Sequence, residues 1–137
     1  SNYIYRIFPE ARFIEMRRDP FDNIASVIKE PWGPNSEVRA IAWWRDRLLL
    51  AEKAKKSIPN SQFLSLQLED LVKFDRDQSY ELLLKSLPVN DEASVRRYFE
   101  EEVNGERANI GRWKNDISSP EAFSALFDSI TGTDLPA

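Results

Sequence analysis

Arginine and serine side chains gather around a predicted turn in the first fifth of the sequence. Arg17 and Arg18 close an apolar run, and Ser26 follows Arg18 by eight residues on a segment of helical period. Side chains on a helix lean towards its N-terminus, so we expect the Ser26 hydroxyl to point towards Arg18. An arginine fork combined with a neutral hydroxyl donor suits the oxygens of a phosphate. The turn is therefore a candidate anion site.

The same residues also have a purely structural interpretation. An exposed arginine pair at a turn and a solvent-facing Ser26 would need no ligand. Asp19 and Asp22 reduce the positive field, and Asp19 as an N-cap would occupy one of the free helix amides. The residue types alone leave both interpretations open.

A strand, a tight turn and a helix must position this site. Residues 12–16 have the length and apolar character of a strand, and Asp19-Pro20 is typical of an N-cap followed by the first helical position. Helical spacing then relates Phe21, Ile24, Ala25 and Ile28. Ligands of open α/β sheets bind beyond the carboxyl ends of the strands, where a helix N-terminus favours anions.

The rest of the chain is predicted to be mostly helical, with one more strand. We expect the end of a helix at 3–8, a strand over 62–68, an irregular segment over 104–118, and helices over 36–56, 80–87, 95–103 and 119–131. The buried stripe of the long helix is predicted to be Val38, Ile41, Trp44, Leu48 and Leu49. Two strands separated by helices indicate an α/β fold with a parallel sheet. Because two strands make a small sheet, we expect part of a larger α/β domain rather than missed strands.

Composition excludes several classes of function. The 137 residues contain no cysteine and no histidine, which removes disulfides, thiol catalysis, zinc–thiolate sites and the commonest general base. A net charge of −4 argues against nucleic-acid binding. No run approaches the ~20 apolar residues of a membrane span, and the first residues of the sequence show no signal-peptide pattern. We expect a cytoplasmic protein with no metal site, whose exposed sheet edge pairs in a homo-oligomer or with a preceding segment.

Residues 8–26 resemble the 3′-phosphate-binding segment of sulfotransferases that use 3′-phosphoadenosine 5′-phosphosulfate (PAPS). The shared pattern is an apolar strand, then Arg18-Asp19-Pro20, then Asp22, then Ser26 eight residues after the arginine. The resemblance implies that Arg18 and Ser26 bind the 3′-phosphate of PAPS or of adenosine 3′,5′-bisphosphate.

Two later segments resemble the same family in the same order. Residues 63–72 are similar to a strand ending in Tyr-Glu-Asp-Leu, with Leu68 in place of the tyrosine. Residues 107–114 are similar to the Arg-Lys-Gly…Gly-Asp-Trp-Lys loop that closes over the nucleotide. The loop departs from the family pattern at Glu106, Ala108 and Arg112 and fits it at Gly111, Trp113 and Lys114. The resemblance implies that Arg107 and Gly111 also contact the cofactor.

The resemblance implies a PAPS-dependent sulfotransferase that transfers a sulfuryl group to a hydroxyl or amine of a small-molecule or carbohydrate acceptor. It also implies a three-layer parallel-sheet fold of P-loop type. The family's 5′-phosphosulfate loop and catalytic histidine have no counterpart in residues 1–137, so we expect a single partial domain without an identified catalytic residue. The alternatives are a non-catalytic interaction module, with Trp43 and Trp44 on its partner surface, and a nucleotide binder resembling P-loop kinases.

Overall fold

The computed structural model describes residues 2–132, which form two compact units. The first unit comprises residues 2–18 and 57–109, and the second comprises residues 19–56 and 110–132. In chain order the elements are α1 (Asn2–Ile7), β1 (Phe13–Arg17), α2 (Pro20–Ile28), α3 (Glu37–Lys55), β2 (Phe63–Gln67), α4 (Arg76–Ser86), α5 (Ala93–Glu102), α6 (Trp113–Asp116) and α7 (Pro120–Thr131). A 3₁₀ turn (Asn60–Gln62) precedes β2, and a π-helical segment (Asp70–Phe74) follows it.

The first unit contains a parallel pair of strands. β1 and β2 run side by side, with Phe13 opposite Phe63 and Arg17 opposite Gln67. Within residues 2–132 the sheet has these two strands, and most other elements are helices. The predicted α/β class, the parallel pairing and the mostly helical character are therefore confirmed.

The helices of the first unit pack through an aromatic pair and an arginine. The rings of Tyr80 on α4 and Phe99 on α5 lie 4.6 Å apart between centroids. Arg76, the first residue of α4, donates from Nη2 to the carbonyl oxygens of Phe99, Glu100 and Val103 at 2.9–3.1 Å. The Phe99 carbonyl also accepts from the Val103 N–H at 3.1 Å, and the bonds from Arg76 add a side-chain donor for the carbonyls at the end of α5. α4 accordingly begins at Arg76, whereas the sequence predicted a start at Tyr80.

The second unit is built around one apolar core. Its buried residues are Ile24, Ala25, Ala40, Ile41, Ile117, Phe123 and Phe127. The Phe21 ring stacks on Trp113, with 4.7 Å between centroids, and lies 4.9 Å from Phe127. The helical spacing predicted for α2 is confirmed, because Phe21, Ile24, Ala25 and Ile28 are buried or pack against this cluster. The apolar residues of α7 do the same.

The predicted buried stripe of α3 is partly wrong. Ile41 is fully buried and Trp44 packs against the core, but Val38 and Leu49 are 53% and 41% exposed. A helix turns by about 100° per residue, so Val38 and Leu49 lie to one side of the face that carries Ile41 and Trp44. Ala40, on the other side of that face, is fully buried instead.

No helix within residues 2–132 is both long enough and apolar enough to cross a membrane.

Candidate anion site at the end of β1

Arg18 lies directly after β1 and carries the clearest sign of a missing partner. Its Nη2 donates to the carbonyl oxygen of Ala108 at 2.8 Å. Its Nε is buried and has no hydrogen-bond partner among the described residues. Buried polar atoms are nearly always hydrogen-bonded, and the Nε of Arg76 is the other buried polar side-chain atom of the described residues without a partner. Arg18 differs from Arg76 because its side chain lines a cavity, where a ligand could supply an acceptor.

The first unit forms a cavity of about 350 Å³ at Arg18. Leu68, Val72 and Val103 supply an apolar part of its wall, and Arg18, Arg107 and Glu102 supply charged groups. Leu68 thus lines the same space as the two arginines. The mixture of apolar wall and guanidinium groups suits an organic anion.

The segment between residues 104 and 109 is shaped by its own hydrogen bonds. The Asn104 side chain donates to the Glu101 carbonyl at 2.9 Å and accepts from the Glu106 N–H at 3.1 Å. The Ala108 N–H donates to the Gly105 carbonyl at 3.3 Å. These bonds, together with the Arg18–Ala108 bond, hold Arg107 at the cavity wall.

The two arginines after the apolar run have different surroundings. Arg17 pairs with Glu15, with 2.9 Å between Nε and Oε2, and Ser65 donates to the same carboxylate oxygen at 2.9 Å. Arg18 lines the cavity instead. Of this pair, only Arg18 is brought together with Arg107 in one cavity.

Ser26 and Gly111 both belong to the second unit. Ser26 lies exposed on α2, whose N-cap is confirmed because the Asp19 carboxylate accepts from the Asp22 N–H at 3.0 Å. Gly111 has a φ of +74°, a backbone conformation that favours glycine. The Gly111 N–H donates to Asp22 Oδ2 at 2.6 Å.

Asp22 is the residue whose role the sequence did not reveal. It is 3% exposed, and its second oxygen accepts from the Trp113 N–H at 3.0 Å. One carboxylate thus fixes both ends of the 111–113 turn. The sequence predicted for Asp22 only a weakening of the positive electrostatic field at the candidate anion site. An acid in the first turn of a helix usually indicates capping, so no local signal identified a partner 89 residues away.

Lys29 and Arg112 both form ion pairs with Asp116, the last residue of α6. Lys29 Nζ lies 2.6 Å from Asp116 Oδ1, and Arg112 Nε lies 3.4 Å from Oδ2. The hydrogen bond from Lys29 lowers the pKa of Asp116 below its ordinary value of 3.8, although partial burial opposes this shift. Asp116 is therefore a carboxylate at neutral pH and stays paired with Lys29, the residue that follows α2.

A second polar cluster lies away from the cavity, between α4 and α5. The Tyr80 hydroxyl donates to Asp91 at 2.9 Å, and Arg96 donates to the other oxygen of Asp91. The hydrogen bond from Arg96 lowers the pKa of Asp91, and burial raises the pKa of Tyr80. The cluster connects two helices and contains no group poised for catalysis.

The described residues contain no group of three or more His, Cys, Asp or Glu side chains that could hold a metal ion.

A family model described as the sulfotransferase family matches residues 1–92 of the 137. That range includes α1 to α4, and with them Arg18 and Ser26. The chain matches no curated protein and no solved structure.

Proposed function

Because this chain belongs to the sulfotransferase family, we propose that it binds the 3′-phosphate end of PAPS for transfer of a sulfuryl group to an acceptor hydroxyl or amine. The observation that carries the proposal is the Arg18 guanidinium, which lines a cavity and has a buried Nε without a partner in the described chain. The proposal includes the three-layer parallel-sheet architecture that the family resemblance implies.

The residues present fit a phosphate ester. Arg18 offers an unused N–H donor next to one that is already fixed by Ala108, so its guanidinium is oriented before any ligand arrives. A phosphate oxygen is a strong acceptor for such a donor. The apolar wall at Leu68, Val72 and Val103 gives the attached nucleoside a surface to pack against.

The proposal gives each predicted site residue a separate task. Arg18 holds the phosphate with a directional hydrogen bond, and Arg107 adds a second positive charge from the same cavity wall. Ser26 contributes a neutral hydroxyl donor. Gly111 keeps a conformation that other residues adopt only with strain, and so shapes the turn that belongs to the nucleotide-binding loop.

PAPS, when bound, supplies the activated sulfuryl group. The task of this chain is then to bind and orient the donor by its 3′-phosphate and to exclude water from that end. A small molecule or carbohydrate is the proposed acceptor class.

The test is a calorimetric titration with adenosine 3′,5′-bisphosphate, the nucleotide that remains after sulfuryl transfer, and with 5′-AMP as the control ligand. The two differ by the 3′-phosphate alone, so the proposal expects a clear preference for the bisphosphate. Equal affinity for the two nucleotides, or binding of neither, would contradict it.

Exposed apolar side chains of α1 and of the residue that follows it support a second candidate function, a non-catalytic interaction module. Tyr3, Ile7 and Phe8 are 79%, 68% and 62% exposed. An exposed apolar patch of this kind is typical of a protein–protein contact. Trp44 is used by the core of the second unit and is not available for such a surface. Binding of neither nucleotide, together with partner binding that Tyr3→Ser and Ile7→Ser abolish, would favour this candidate.

A further inference from the structure

We infer that Glu102 is a positioning residue of the cavity, whose carboxylate holds Arg107 until an anionic ligand replaces it. The inference rests on the proposed function and extends it. It gives a role to an acidic side chain in a cavity that is proposed to bind a phosphate.

The geometry places the two groups in direct competition with a ligand. Glu102 and Arg107 both line the cavity that contains Arg18. Arg107 Nη1 lies 3.7 Å from Glu102 Oε2, and the two side chains are 86% and 47% exposed. An ion pair this exposed is weak and exchanges readily, so a phosphate can displace the carboxylate.

The position of Glu102 in α5 argues against a role in helix stability. Glu102 is the last residue of α5, where the negative end of the helix dipole disfavours a carboxylate. The Arg76 side chain donates to the carbonyls of Phe99, Glu100 and Val103, and Asn104 donates to the carbonyl of Glu101. The Glu102 carboxylate takes no part in these bonds. Glu100 and Glu101 stand at the same end of α5, so Glu102 is distinguished from them by its place in the cavity wall and its contact with Arg107.

The Glu102 carboxylate therefore opposes phosphate binding in two ways. The phosphate replaces Glu102 as the partner of Arg107, and it approaches a like charge in the same space. Removing the charge without changing the shape, as in Glu102→Gln, should release Arg107 to the ligand. We expect the affinity for adenosine 3′,5′-bisphosphate to rise about two- to fivefold, the range of exposed ion pairs.

The experiment is a double-mutant cycle by calorimetry in low salt, with the parent chain, Glu102→Gln, Arg107→Ala and the double variant. Glu101→Gln is the matched control, since it removes the same charge one residue earlier at a position that does not line the cavity. We expect Glu102→Gln to strengthen binding in the parent background and to have a smaller effect when Arg107 is already alanine. The gain should also shrink as the salt concentration rises.

Two outcomes would overturn the inference and leave the proposed function intact. One is bisphosphate binding by the parent and by Glu102→Gln with equal affinity. The other is a gain in affinity that comes from a general charge effect. Such a gain would be the same with and without Arg107, or Glu101→Gln would reproduce it. Failure of both the parent and Glu102→Gln to bind the bisphosphate would instead overturn the proposed function, and this inference with it.

Discussion

The Arg18 side chain donates from Nη2 to the carbonyl oxygen of Ala108 at 2.8 Å, although 90 residues separate the two along the chain. The bond joins the end of β1 to the loop that carries Arg107. Arg18 is therefore both a donor to the cavity and the anchor of one cavity wall. A ligand bound at Nε would meet a guanidinium whose orientation is already set.

Replacing Arg18 should weaken bisphosphate binding more than the loss of charge explains. We expect Arg18→Ala to lose roughly 1.5–3 kcal/mol of binding free energy, the scale of a hydrogen bond to a charged group. Arg18→Lys keeps the charge but loses the planar guanidinium, so the side chain cannot donate to the Ala108 carbonyl and to a phosphate in the same geometry. Its affinity should lie much closer to that of Arg18→Ala than to that of the parent, as measured by calorimetry.

Arg97→Ala is the control for this pair of variants, because Arg97 is an exposed arginine of α5 that does not line the cavity. It should bind the bisphosphate nearly as the parent does. Parent-like binding by Arg18→Ala would remove Arg18 from the proposed site.

Ser26→Ala tests the proposed role of the Ser26 hydroxyl in phosphate binding. If the Ser26 hydroxyl donates to the 3′-phosphate, its removal should cost about 1 kcal/mol of binding free energy, close to fivefold in affinity. The affinity for 5′-AMP should not change. Ser118→Ala removes the hydroxyl of another exposed serine of the same unit and should leave both affinities unaltered. A Ser26→Ala variant that keeps the full preference for the bisphosphate would limit the site to the arginines.

Asp22→Asn should destabilise the second unit. The amide keeps the size of the carboxylate but can accept with one oxygen only, so the N–H of Gly111 or of Trp113 loses its partner. Loss of a hydrogen bond to a buried charged group costs about 1.5–3 kcal/mol. Urea unfolding would measure this loss.

Asp46→Asn provides the comparison for that experiment. The Asp46 carboxylate pairs with Arg45 on the surface of α3 and is 63% exposed, so its replacement should change the free energy of unfolding very little. Equal stability of the two variants would show that Asp22 does not hold the 111–113 turn in solution.

The Lys29–Asp116 pair should make stability depend on acid pH. The pKa of Asp116 is lower in the folded protein than its ordinary value of 3.8, chiefly because Lys29 donates to the carboxylate. The folded state therefore favours the ionised form. The stabilisation is complete above a pH of about 3.8 and is lost as the pH falls through the lower pKa of the folded state.

Lys29→Met removes the largest contribution to this dependence while keeping an unbranched side chain of similar length, and Arg112 still lowers the pKa of Asp116. The difference in stability between the parent and Lys29→Met should be present at neutral pH and should shrink as the solution becomes strongly acidic. Lys53→Met, at an exposed position of α3, should show no such convergence. A difference between the parent and Lys29→Met that is independent of pH would refute the ion pair as its source.

Local signals in the sequence were enough to predict the positions of most of the helices and of both strands. Asp19-Pro20 fixed the start of α2, because a cap and its first helical turn involve neighbouring residues. The π-helical segment at Asp70–Phe74 has no sequence signal of this kind and was missed. The burial of Val38 was predicted wrongly, because the helical period identifies a stripe but not the angle at which neighbouring helices cover it.

For the site, residue types and spacing in the sequence suggested an anion site at Arg18 and Ser26, and the family resemblance added Arg107, Gly111 and the kind of nucleotide. Only the tertiary structure decided that Arg18 has an unpaired Nε, that Glu102 faces Arg107, and that Asp22 is buried under the 111–113 turn. The physical reason is distance along the chain. Capping and amphipathic period act within a few residues, whereas the partners of Arg18 and Asp22 come within reach only when each unit has folded.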